Sequence, residues 1–329
     1  MAFLPRHLMT SIGATRAIAR ATYRQLVRDP ALLLVSAGAF VLIAAAPAYA
    51  VFHFDEPAKV MIDTGLSTVL LAGLVIALIG PVRALAYELE DRTALTLLSK
   101  PVGRLPVVFG KYGGVVAALV VVLAPLVLSV LYVTRICEAG EESRAAEAAL
   151  PLIGAAAPGV GALVYLGCGA AVAAITAGLV FKRCRAAAVY SCVMAFAALG
   201  PLIVGEAGEW RTSVLAAGAL IFMEVAVVGA VAVAAAVRLG AVGTLVAGLG
   251  VMVLGHARSL AGPEAFGGGV LRVASGIVPG LEALNALEAA AGGATVSGLY
   301  VASAGIYATM YAGAALLLGA ALMQAREVA

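Results

Sequence analysis

Apolar residues along this chain are not spaced at helical or strand intervals but run on in long unbroken blocks, separated by short stretches that hold nearly all of the charge. About 20 consecutive apolar residues suffice for a helix to cross a hydrocarbon core of about 30 Å, with every backbone group satisfied inside the helix. Eight blocks meet that template, at 31–51, 62–83, 106–134, 159–181, 186–205, 212–237, 239–255 and 297–323. The seventh is short enough to be re-entrant or one limb of a bent hairpin. Before the first block, residues 3–29 carry Arg16, Arg20, Arg24 and Arg28 at four-residue spacing, which puts a cationic stripe on one side of a helix. Ile12, Ala19, Tyr23, Leu26 and Val27 give that helix an apolar side suited to a membrane interface. The alternative is a flank that merely fixes topology.

Composition agrees with this pattern. Of 329 residues, 63% are apolar and only 12% charged, about half the charged share of an ordinary soluble domain. The expected fold is therefore an all-α polytopic membrane protein with about eight transmembrane helices, formed by residues 1–329 as a single domain. The basic residues set its orientation, because Lys and Arg collect on the cytoplasmic side. With the N-terminus inside, fifteen fall on inner segments (Arg6, Arg16, Arg20, Arg24, Arg28, Arg83, Arg92, Lys100, Arg104, Lys111, Lys182, Arg183, Arg185, Arg238, Arg326). Six fall outside: Lys59, Arg135, Arg144, Arg211, Arg258 and Arg272. Both termini are thus expected in the cytoplasm. Ala48-Tyr49-Ala50 after an apolar run resembles a signal-peptidase site, but a polar start of about 30 residues is too long for a signal peptide. A net charge of +3 gives no reason to expect a nucleic-acid partner.

The densest chemistry lies between the second and third blocks, in an inner connection spanning 84–105. Glu90, Asp91 and Thr93 suit a helix start, Leu95 and Leu98 share one side, Lys100 suits the end, and Pro101 prevents continuation. A short helix of this kind needs a surface to dock on, either its own bundle or a partner. Glu88 to Arg104, with Glu-x-x-x-x-Thr, Leu-Leu-Ser-Lys-Pro-Val-x-Arg and then Gly110-Lys111-x-x-Gly114, resembles the first intracellular loop of ABC-2-type transporter permeases. The likeness is greatest to bacterial permeases of the nitrous-oxide reductase maturation system. Pro279-Gly-Leu281-Glu282-Ala-Leu284-Asn285, followed by a final span with Tyr300, Tyr307 and Tyr311, is similar to that family's last outer segment and final helix.

The resemblance implies a permease of an ATP-powered exporter in the bacterial inner membrane, working as a pair of copies and driven by a separate cytoplasmic ATPase that carries the ATP and Mg. It makes Glu88, Glu90, Asp91, Arg92, Thr93, Leu95, Leu98, Ser99, Lys100, Pro101 and Arg104 the coupling helix and its flanks, and the Arg-striped segment 1–30 an interfacial helix. The family's usual core has six spans, so 159–205 would be an added hairpin, and 256–296 the outer segment. No phosphate loop is present: Leu105 stands where GxxxxGK needs its first glycine, and Tyr112 follows Lys111.

Inside the spans, Gly110 and Gly114 form a GxxxG pair expected to admit close helix packing. Glu224 is the one acid deep in a block, and must face the bundle or water, as a path or gating group or as a buried structural hydrogen bond. Asp63 and Arg83 read as anchors, and His256 as the mark of an outer boundary. Cys137, Cys168, Cys184 and Cys192 form no CxxC pair and read as small apolar fillers. No HExxH, paired intramembrane carboxylates or Ser–His arrangement supports an enzyme, and no metal or cofactor site is expected. An ion-coupled secondary transporter and a non-transporting scaffold are the competing functions.

Overall fold

The structure, a computed structural model, describes residues 6–50, 57–90, 103–147, 210–260 and 278–325. Among the described residues the chain is all helical and without strands. The helices are α1 (Arg6–Val27), α2 (Pro30–Ala50), α3 (Pro57–Pro81), α4 (Tyr87–Glu90), α5 (Arg104–Glu147), α6 (Trp210–Leu260), α7 (Leu287–Ala291) and α8 (Gly298–Ala325). Four helical stretches are long and apolar enough to cross a membrane: Ala58–Ala86, Arg104–Leu131, Thr212–Ala257 and Gly298–Gln324. A fifth crossing arises if the pair Ile12–Val27 and Pro30–Ala46, bent by 63°, counts as one. The predicted spans 159–181 and 186–205 lie outside the described residues.

The bend between α1 and α2 follows from local chemistry. Asp29 is the N-cap, its Oδ1 accepting the Ala31 amide at 2.9 Å, and Pro30 takes the first helical position, where its missing N–H costs nothing. Arg83, at the far end of the α3 span, clamps this corner through Asp29 at 3.2 Å, and its carbonyl accepts the Gln25 side-chain amide. The α3 helix does not stop where the sequence predicts the inner connection to begin. A π-turn at Val82–Ala86 absorbs the backbone bond that Pro81 cannot make, and the helical path continues through α4 to Glu90.

The predicted spans 212–237 and 239–255 are two arms of one helical run. Its 46 candidate spanning residues would measure about 69 Å if straight, over twice the hydrocarbon thickness. The run instead folds back at Gly240, whose φ of 65° and ψ of −170° belong to a region that only glycine occupies readily. Residues equidistant from Gly240 then meet. A Cβ on Gly248 would stand 3.8 Å from that of Ala232, and His256 reaches Glu224. Gly240→Ala is expected to cost about 1–3 kcal/mol in a detergent unfolding titration, because the strain falls on the turn itself.

Small residues bring α3, α5 and the first arm of α6 into contact. Cβ atoms on Gly65 and Gly218 would fall within 3 Å of Val130 and Val127. The core they enclose includes Leu66, Val69, Leu119, Val122, Leu220 and Val225, all with no solvent exposure. A second apolar cluster joins Val82, Leu85, Val107, Val108, Val237 and Met323. It places the basic end of α3, the start of α5, the Gly240 turn and the end of α8 at one end of the bundle. There Arg238 donates to the Leu322 carbonyl at 3.3 Å. Four membrane-length stretches, three of them largely buried against one another, make this a membrane-spanning helical bundle.

Candidate functional site

Three features occupy the positions that the sequence singles out, and the first is the base of the inner connection. Lys111 follows Gly110 directly, about two turns into α5, and its side chain is only 6% exposed. Its ammonium meets both carboxylate oxygens of Glu88 at 2.7 Å. Glu88, expected among the coupling residues, is thus turned toward its own bundle. This pair binds α4 to α5 across the gap that holds the inner connection. Arg104 opens α5, and Glu90 ends α4. Asp91, Arg92, Thr93, Leu95, Leu98, Ser99, Lys100 and Pro101 lie outside the described residues.

The second feature is the seat of α1. A Cβ on Gly110 would stand 2.8 Å from Ile18 Cβ and 3.0 Å from the Thr15 carbonyl; on Gly114, 2.5 Å from Thr22 Cβ and 2.8 Å from the Ala19 carbonyl. The GxxxG pair is therefore a groove into which α1 settles by backbone approach. This changes the part played by the apolar side of α1. Leu26 and Val27 are buried in the bundle and Ala19 faces Gly113 and Gly114, so most of that side packs on α5, while Ile12 stays exposed. Arg16, Arg20, Arg24 and Arg28 all stay exposed on the opposite side.

The third feature surrounds Glu224. Its side chain has no solvent exposure, and neither carboxyl oxygen has a hydrogen-bond partner among the described residues. Val225 packs on Gly73, ten residues or about 15 Å from Arg83 along the α3 span, which sets Glu224 near half the thickness of a hydrocarbon core. On the far side Met223 packs on Gly305 of α8. Facing the carboxyl is His256, whose Nε2 lies 3.4 Å from Oε1, while Nδ1 lies 3.1 Å from the Met252 carbonyl. His256, which the sequence reads as the mark of an outer boundary, is brought by the fold at Gly240 against the acid of the first arm.

Next to this pair the backbone is irregular. A Cβ on Gly255 would meet Leu281 and the Pro279 carbonyl, so residues 279–281 adjoin the second arm of α6 at His256. A 3-10 turn at Leu281–Leu284 and the short α7 follow, with Leu281, Leu284 and Ala290 fully buried. Non-helical backbone at membrane depth needs partners from protein. Tyrosines of α8 supply them: Tyr307 Oη accepts the Gly280 amide at 3.0 Å, and Tyr300 Oη donates to the Ala283 carbonyl at 2.6 Å. Asn285 Oδ1 accepts the Leu287 amide at 3.1 Å. Tyr300, Tyr307 and Asn285, which the sequence places in the last outer segment and the final span, thus act as pins.

The sequence did not disclose the partners of Glu88 and Glu224. A lysine set inside an apolar block was the available signal for the first, since it requires a counter-charge. For the second the signal was the equal spacing of an acid and a histidine, sixteen residues either side of a glycine. Among the described residues no three His, Cys, Asp or Glu side chains converge as a metal site. No protein-family model and no curated protein matches the chain.

Proposed function

We propose that the chain is the transmembrane subunit of an ATP-powered exporter of the ABC-2 kind, acting as a homodimer in the bacterial inner membrane with both termini in the cytoplasm. A separate ATPase, holding ATP and Mg, docks on 84–105 through Leu95 and Leu98, and this chain has no catalytic role of its own. The observation that carries the proposal is the Glu88–Lys111 pair, which fastens the start of that connection to α5. A push on the connection is then delivered to the spans formed by α3 and α5 together, as a split machine requires. The exposed arginines of α1 fit the part of an interfacial helix lying against anionic headgroups, held to the bundle by the Gly110–Gly114 groove.

Mild detergent extraction is expected to recover an ATPase with the chain. Leu95→Asp with Leu98→Asp is expected to lose that ATPase while the chain still elutes as a folded species. Equal ATPase recovery from the double variant would overturn the docking assignment. An ion-coupled secondary transporter is favoured by one observation, the buried Glu224 carboxyl facing a partly exposed His256 beside an irregular segment, an arrangement suited to holding a coupling ion. Transport that continues after ATP depletion, with no ATPase recovered, would select that function instead.

A further inference from the structure

We propose that Glu224 and His256 form a proton-binding site at mid-depth in the bundle, in which one proton, carried by either the carboxyl or the facing imidazole, keeps the pair neutral and the second arm of α6 against the first. The site exists only because the run folds at Gly240, and it does not depend on how transport is powered.

The proton count follows from the neighbours. The Met252 carbonyl can only accept, so Nδ1, 3.1 Å away, carries a hydrogen. Nε2 then presents to Oε1 either a lone pair or a second hydrogen. With one proton between them the pair is neutral, as acid and imidazole or as carboxylate and imidazolium. When that proton leaves to water through the partly exposed imidazole, a carboxylate with no solvent exposure of its own faces a lone pair. A net negative charge there is costly, and parting the arms so that water reaches the carboxylate relieves it. Rebinding of a proton from water restores the neutral pair and lets the arms close.

Among the described residues, the other titratable groups on the packed elements are otherwise occupied or face outward. On α3, Asp63 is exposed and lies ten residues before Gly73. On α5, Lys111 is paired with Glu88, and Tyr112 Oη donates to the Ala226 carbonyl. Arg83, at the π-turn, is paired with Asp29. Glu282 and Glu288 are exposed, Tyr300 and Tyr307 bind backbone groups, and Tyr311 packs on Tyr307. The outer side of the second arm is apolar, with Val242, Val246 and Val253 more than 60% exposed.

The test uses the full chain in nanodiscs of phosphatidylcholine and phosphatidylglycerol, with hydrogen exchange followed by mass spectrometry at a series of pH values. After correction for intrinsic rates, amides of 241–257 are expected to exchange at least about tenfold faster at alkaline than at mildly acidic pH, with those of 107–127 unchanged. Glu224→Gln, which cannot ionise, is expected to keep the arm protected throughout. His256→Asn, a second variant in case the first misfolds, is expected to displace the transition along the pH axis. An arm whose protection does not change with pH, or a transition unaltered in Glu224→Gln or in His256→Asn, would overturn the proposal. Neither ATPase nor cargo enters this measurement, so its failure leaves the ATP-powered function standing, and failure of that function leaves the proton site standing.

Discussion

Gly114→Leu is expected to free α1 from the bundle. The contacts that a Cβ would make are not with flexible side-chain ends but with Thr22 Cβ at 2.5 Å and the Ala19 carbonyl at 2.8 Å, so the two helices have to separate. Overpacking of this sort costs about 1–3 kcal/mol, and the upper part of that range is expected because backbone stands in the way. The exposed arginines of α1 provide the readout, since trypsin cuts at Arg16, Arg20, Arg24 and Arg28 only when the helix opens. A loss of about 3 kcal/mol raises the open population by roughly 150-fold, and the cleavage rate follows it when reclosing is fast. Gly113→Ala is the control: its Cβ would meet only Ala19 Cβ at an ordinary 3.5 Å, and alanine is the better helix former. Cleavage of that variant is expected to be no faster than in the unaltered chain. Equal rates for Gly114→Leu and Gly113→Ala would mean that α1 is not held by this groove.

Glu88→Gln is expected to destabilise the same end of the bundle more than Lys111→Met does. Removing the carboxylate leaves the Lys111 ammonium, 6% exposed, without its counter-charge, a loss of about 3 kcal/mol at the lower end of the range for broken buried pairs. The lower end applies because Glu88 itself is 28% exposed and its pairing is partly shared with water. Lys111→Met instead keeps the apolar stem and leaves a carboxylate that solvent can reach, so a smaller loss is expected. Detergent-unfolding midpoints of the two single variants and the double variant check this, and equal losses in the two single variants would contradict it. If the ATP-powered function holds, Glu88→Gln also uncouples ATP hydrolysis from transport while the ATPase stays bound, because Leu95 and Leu98 are untouched.

Much of the helical architecture was legible because the hydrophobic blocks are long. The blocks at 62–83, 106–134 and 297–323 coincide with helical stretches that begin at Pro57, Arg104 and Gly298, and the Arg-striped segment is the helix Arg6–Val27. Other boundaries were not legible. The block at 62–83 was expected to give way to the inner connection at 84, yet a π-turn carries the helix onward, and apolar neighbours bury Val82, Leu85 and Ala86 on either side of Arg83. The small-residue spacing of Gly110 and Gly114 announced a close approach without naming the helix that makes it. The seventh block read as re-entrant or as one limb of a bent hairpin, and the fold at Gly240 makes it such a limb; the apolar pattern could not choose between the two, since lipid-facing and protein-facing positions are equally apolar.

The sequence alone determined that this protein is a helical membrane body, that its basic residues concentrate between particular spans, and that one acid is carried deep inside. Those properties depend on the cost of exposing backbone and charge to hydrocarbon, which accrues residue by residue and is therefore written locally. Which groups meet was decided by the tertiary structure: Lys111 with Glu88, Gly114 with Thr22, and His256 with Glu224. Each of these joins residues far apart in the chain through a turn or a close helix contact, so its energy belongs to a pair of surfaces and not to either segment's own pattern.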